Sequence, residues 1–361
     1  MELHLDRFDR EWGMIPFWEG DTAYQESVLF VPDGQGRLEA PLFYQPDRIL
    51  SVRDCTYRTE FEYGRDYLLE GNVIRLTEHS RIPRFTYDEF FCPDRIGEDV
   101  MDYAPGGHVR VASGHFFHPK NVHVTYTHRD PWPFEKPKFK GDTHLPRLMK
   151  KLRSHSVLTA VFFGDSVMSG DECSDYLNME PYQPEWTVNV CQQLCRLYGC
   201  FIHRIDTAIG GTDLTWGKET CAARVAAFHP DFALIGFGNN DRCPVEEYLD
   251  GLRTIIDTIR RESPETDIIL VDPMRPNRQI TRTTDGYRWD AGQGDYALAH
   301  LCLEREYEGL AVLEIMQLHQ NMLQRKRFWD INNNNINHPN DFFYRVIAQT
   351  CVALLAPPEK K

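Results

Sequence analysis

The chain has 361 residues, 42% of them hydrophobic and 26% charged, and its 54 Asp and Glu against 40 Lys and Arg leave a formal charge of −14. That length exceeds what one ordinary core supports and predicts two domains, while an acidic balance without a basic stripe excludes nucleic acid as a partner. No apolar run approaches the roughly 20 residues that a membrane helix needs, so no membrane partner is expected.

The first ten residues, Met1 to Arg10, mix charges with apolar side chains and contain no basic region followed by an apolar stretch. The expected location is therefore the cytoplasm. Short β-like runs follow, Ser27 to Val31, Val73 to Leu76 and Val122 to Thr127, separated by segments rich in Pro, Gly and Asp; this part reads as β-rich. His108, His115, His118, His123 and His128 lie within it. Their spacing fits no zinc pattern, and His123 and His128 fall on opposite faces of one strand, so neither a metal nor any other cofactor is expected. From Asp130 to Leu145 three prolines, three lysines and three aromatics exclude a regular helix or central strand, which predicts a linker. The expected domains are 1–145, β-rich with the linker, and 146–361.

Beyond residue 146 strand-like and helix-like segments alternate, the pattern of a parallel sheet with helices on both faces. Five runs are the predicted strands: Leu158 to Phe163, Cys200 to Ile205, Phe232 to Phe237, Asp267 to Val271 and Leu310 to Leu313. Val188, Cys191, Leu194, Cys195 and Tyr198 recur at helical spacing and predict a crossover helix ending at Gly199. Further helices are expected over about 246–261 and from Pro339 to Leu355, with Pro339 in the first turn. None of the ten cysteines forms a Cys-x-x-Cys pair, so they are expected to be buried free thiols.

In an open parallel sheet, ligands bind beyond the carboxyl ends of the strands. The first strand ends in Gly164-Asp165-Ser166, the second leads into Gly210-Gly211, and the third into Gly238-Asn239-Asn240-Asp241. His338 lies in an asparagine-rich loop after the last strand. Ser166 is either a nucleophile with His338 as its base or the N-cap of a helix; the glycines and Asn240 either donate hydrogen bonds to an oxyanion or make plain turns.

These four segments, in this order, resemble the blocks of the SGNH (GDSL-type) hydrolase superfamily: Ser166 for the nucleophile, Gly211 and Asn240 for the oxyanion hole, His338 for the base. The resemblance implies a three-layer α/β/α hydrolase domain with a five-stranded parallel sheet, and two-step acyl transfer. Asp165 and Gly238 then have structural roles near the site. The family usually places Asp three residues before its histidine, where this chain has Asn335. Either Ser166 and His338 act as a dyad, the expected case, with Asn335 or a backbone carbonyl fixing the ring, or a carboxylate such as Asp330 or Asp341 substitutes. The β-rich part resembles the β-sandwich (jelly-roll-like) domain of two-domain carbohydrate esterases such as carbohydrate esterase family 2. That implies an O-acetylated small-molecule or oligosaccharide ester as substrate, with Trp216, Trp186 and Tyr182 as candidates for stacking on a sugar. The alternatives are a lipase- or thioesterase-type hydrolase of the same superfamily and a catalytically impaired carbohydrate-binding protein. A homo-oligomer is compatible with all three.

Overall fold

The computed structural model describes residues 2–92, 99–280 and 292–357. Eight strands precede the linker: β1 Thr22–Leu29, β2 Glu39–Pro41, β3 Pro46–Asp54, β4 Tyr67–Glu70, β5 Val73–Leu76, β6 Val100–Asp102, β7 His108–Arg110 and β8 Asn121–His128. They form small antiparallel sheets, in the orders β1-β8-β3, β2-β5-β4 and β6-β7. The linker packs on both sides of itself: Trp132 stacks on Phe43 with ring centroids 5.0 Å apart, and Lys140 Nζ reaches Glu304 and Glu314 at 2.8 Å.

Five parallel strands follow, β9 Val157–Gly164, β10 Phe201–Asp206, β11 Phe232–Gly236, β12 Asp267–Val271 and β13 Leu310–Leu313, in the order β10-β9-β11-β12-β13. Buried on two faces, they alternate between two cores, as a two-residue period requires. Ala160, Phe162, Leu234 and Ile269 join one cluster, and Val161, Phe163, Ala233, Ile235 and Ile268 join the other. The first is covered by helices Trp186–Tyr198, Ile315–Leu323 and Asp341–Leu355, the second by Leu214–Arg224, Val245–Glu262 and Gln293–Glu306. The result is three α/β/α layers. Pro339 does not occupy the last helix's first turn: Asn340 is the N-cap, its side chain accepting from Phe343 N, and the helix begins at Asp341. Helix Leu214–Arg224 escapes a reading of periodicity because its buried positions are only Leu214, Gly217 and Cys221. Among the described residues no helix is long and apolar enough to cross a membrane, and no disulfide joins any of the cysteines.

The β region does not keep a core to itself. Val28, Val122, Val124 and Phe43 belong to the same cluster as Phe342, Ile347 and Cys351 of the last helix. That helix also carries polar groups into the join: Arg345, 1% exposed, donates to Gln25 Oε1, Gln183 Oε1 and the carbonyls of Tyr24 and Gln25. A wholly buried ion pair lies alongside, Lys326 Nζ to Glu26 Oε1 at 2.6 Å, and Glu26 also accepts from Phe43 N and Tyr126 Oη. Removing one member of such a pair leaves an uncompensated buried charge, which costs about 3–5 kcal/mol. Lys326→Met is therefore expected to lower the unfolding free energy by about that much, and Lys326→Met with Glu26→Gln to recover part of the loss, both read by chemical denaturation.

Candidate active site

Strand β9 ends at Gly164, whose φ is +155° and whose carbonyl accepts from Ile209 N at 3.0 Å. A Cβ there would lie 2.0 Å from the Gly236 carbonyl oxygen of β11, so only glycine lets the two strand ends approach this closely. The chain then turns sharply into a single helical turn, Ser166–Ser169. Its N-cap is Asp165, which accepts from Val167 N at 3.0 Å; Ser166 is the first residue of the turn and its hydroxyl is not used as a cap. Trp186 Nε1 donates to the Val167 carbonyl at 2.9 Å and holds the turn from beneath.

The third segment locks this turn to its neighbours. Asn239 Nδ2 donates to Asp165 Oδ2 at 2.9 Å, while Asn239 Oδ1 accepts from Met274 N beyond β12. Asp241 accepts from Gly238 N and Leu214 N, both at 2.9 Å, tying the end of β11 to the loop after β10. Burial pushes the Asp165 carboxyl up to about 7, against the hydrogen bonds from Asn239 and Val167 that favour its charged form. Gly238, φ +114°, brings the backbone against Pro273 and Tyr248, where a Cβ would be 2.8 and 2.9 Å from side-chain atoms. Both residues thus brace the turn structurally.

His338 Nε2 lies 2.7 Å from Ser166 Oγ, across 172 residues of chain. Ser166 is 4% exposed, and burial lowers the His338 pKa to about 4. Asn240 Nδ2 donates to the Thr212 carbonyl at 2.9 Å, which orients the amide; the nitrogen carries two N–H groups, so a second donor remains. Gly211 has φ +79° and open space where a Cβ would stand, and a Cβ on Gly210 would be 3.7 Å from that of Ser166. The second strand's loop therefore passes close to the serine, with the Asp171 carboxylate 2.7 Å from that same Cβ position. Two acidic residues follow the turn. Asp171 N donates to the Ser166 carbonyl, and burial raises the Asp171 carboxyl and pushes that of Glu172 up to about 7.

Three expectations about the histidine's support are corrected. Asn335 does not touch the ring: φ +60° turns it away, its Nδ2 donates to the Arg110 carbonyl at 2.9 Å, and its Oδ1 accepts from Asn277. Asp330 faces Arg327, with Nη2 to Oδ1 at 2.7 Å; burial raises its pKa, but Arg327 and Lys326 hold it below the usual value. Asp341 accepts from Ser174 N. The group on the ring is instead Asn334, with Nδ2 2.6 Å from His338 Nδ1. Its signal in the sequence is an asparagine four residues before the histidine in a loop, able to bond forward to the backbone as such side chains do in turns.

The aromatic expectations divide. Trp186 is fully buried, so it cannot stack on a ligand. Trp216 is taken up by packing, stacked on Phe163 at 5.2 Å with the Arg224 guanidinium 4.9 Å from its ring. Tyr182 remains 50% exposed. The five histidines of the β region are engaged one by one: His115 and His118 with the carbonyls of Leu177 and Glu180, His123 with that of Gln25, His128 stacked on Tyr44, His108 beside Asp102.

The model of the GDSL-like Lipase/Acylhydrolase family matches residues 162–346, just over half of the chain. No curated protein matches. Among solved structures, a two-domain esterase active on acetylated mannans, co-crystallised with mannopentaose, is 18% identical over 57% of this chain and 50% of its own, with TM-score 0.45. A variant of an acetyl xylan esterase from Geobacillus stearothermophilus is 16% identical over 54% of this chain and 91% of its own, TM-score 0.40. An α/β hydrolase from the metagenome of Lake Arreo is 16% identical over 55% and 96%, TM-score 0.43. The chain spans about half the length of the two-domain esterase it matches.

Because Gly164 alone permits the approach of β9 to β11, Gly164→Ala should displace Ser166. Reaction of Ser166 with a fluorophosphonate is expected to slow by about 10²-fold, the usual effect of a misplacement near 1 Å, and the melting temperature to fall with it.

Proposed function

We propose that this chain, which belongs to the GDSL-like lipase/acylhydrolase family and is a carboxylic ester hydrolase, removes O-acetyl groups from a carbohydrate by a Ser-His mechanism. The observation that carries the mechanism is the 2.7 Å contact between Ser166 Oγ and His338 Nε2. In the first step the Ser166 oxygen attacks the ester carbonyl as its proton passes to His338, and the imidazolium then protonates the departing sugar alkoxide. Water, deprotonated by the same ring, releases the acid and regenerates the serine. The backbone N–H groups of Ser166 and Gly211 and the Asn240 amide are assigned to the tetrahedral oxyanion.

The carbohydrate reading rests on the character of the approach to the serine. Asp171, partly exposed, gives it a polar rim: its N–H donates to the Ser166 carbonyl, and its carboxylate lies 2.7 Å from where a Cβ on Gly210 would stand. Such a rim suits hydroxyl-rich substrates with small acyl groups, and the exposed Tyr182 offers a ring face to a sugar.

Acetate release from acetylated oligosaccharides should be lost in Ser166→Ala, and Asn240→Ala should slow turnover by about 10²–10³-fold. A nitrophenyl ester series in which octanoate outruns acetate would overturn the sugar-acetate reading in favour of a lipase-type activity. Since burial holds His338 near 4, kcat/KM should stay level as pH falls from 7 and decline only as pH drops through about 4. A decline near the ordinary histidine value would show that the ring is not the buried base described here.

A further inference from the structure

The chemistry above requires His338 Nε2 to be free to accept a proton. The hydrogen bonds around Asn334 have a consequence for that nitrogen. Asn334 Oδ1 accepts from three successive backbone donors, Ile336 N at 2.8 Å, Asn337 N at 3.0 Å and His338 N at 3.1 Å. Three converging N–H groups can be met only by the amide oxygen. Turning the amide over would set its NH2 against three donors and leave all of them without this acceptor. The oxygen's place is thereby settled by the network, and the amide nitrogen is the atom that faces His338 Nδ1, at 2.6 Å.

An amide nitrogen is a donor only, so Nδ1 must accept, and the imidazole proton resides on Nε2, where it points at Ser166 Oγ. We propose that Asn334 is a positioning residue that holds His338 in the Nε2–H tautomer, so that the resting enzyme must move this proton to Nδ1, against the Asn334 amide, before Ser166 can be activated. In that resting state the serine accepts a hydrogen bond from its own base. The imidazolium formed during turnover meets the same obstacle, because its Nδ1–H faces a second donor.

The proposal rests on the Ser-His reading of the site and makes a prediction of gained function. In Asn334→Asp one carboxylate oxygen keeps the three backbone donors and the other accepts Nδ1–H, which frees Nε2. Where the reverse exchange, Asp to Asn, is made in Ser-His-Asp sites, kcat falls by ~10⁴ because the wrong tautomer is held. Asn334→Asp should accordingly raise kcat by about 10²–10⁴-fold with KM little changed, and the acid limb of kcat/KM should move to higher pH because a carboxylate now favours the charged ring.

The full chain labelled with ¹⁵N-histidine, its His338 signals assigned by their loss in His338→Gln, reports the tautomer at pH 7 without any substrate. A protonated Nε2 and unprotonated Nδ1 in the wild type, exchanged in Asn334→Asp, supports the assignment. An unprotonated Nε2 in the wild type overturns it, as does a folded Asn334→Asp whose tautomer is unchanged. If the tautomers are as stated but neither protein releases acetate from any ester tested, the positioning role stands and the esterase reading fails.

Discussion

A loop of consecutive asparagines can be buried only if its amides find partners, and His338 stands on such a loop. Asn332 to Asn335, Asn337 and Asn340 are all nearly inaccessible to solvent. An unmet buried amide group costs about 1–3 kcal/mol, and here partners come from three directions. Asn332 Oδ1 accepts from Asn334 N within the loop. Asn333 bridges Asn121 of β8 and the Glu172 carbonyl beyond the nucleophile turn, and its own N–H donates to the His338 carbonyl. Asn335 reaches Arg110 of β7, and Asn340 reaches Ser27 of β1. The β region is therefore part of what places His338, not an appendage to the hydrolase layers.

The serine side is built on a different constraint, the close approach of strand ends. Gly164 lets β9 and β11 approach, Gly236 leaves room for Met168 of the turn, and Asn239 and Asp241 close the gaps between β9, β11, β12 and the segment after β10 with side-chain bonds. Of the three polar residues in that segment, Asn239 and Asp241 are buried and brace it, and Asn240 is the partly exposed one, with an amide N–H to spare beyond its bond to Thr212. The braced turn that carries Ser166 thus faces a histidine loop that bonds to a second region. Relative motion of the two halves would be felt first at the 2.7 Å contact between them.

This division also explains why one asparagine acts on the histidine while its neighbour does not. Positive φ at Asn335 reverses the backbone direction, which sends that side chain toward β7 and leaves Asn334 curled over the ring. Of the buried carboxylates nearby, Asp330 pairs with Arg327, and Asp341 accepts from Ser174 N through Oδ1. Among the described residues no carboxylate meets the imidazole, and burial lowers its pKa.

The sequence by itself determined the five parallel strands to within a residue or two, the crossover helix ending at Gly199, and the four segments that meet at the sheet's carboxyl edge. Those features are legible because apolar alternation, helical spacing and turn glycines act over a few residues and need no distant partner. Helix Leu214–Arg224 was not legible, since its buried stripe is too narrow, and neither was the shared core that joins the β region to the last helix. Only the tertiary structure decided that Trp186 and Trp216 are packing residues, that Asn334 and not Asn335 meets the histidine, and that no nearby aspartate does. Such choices depend on which donors and acceptors lie within 3 Å across separations of a hundred residues and more, and the order of amino acids along a chain does not carry that distance.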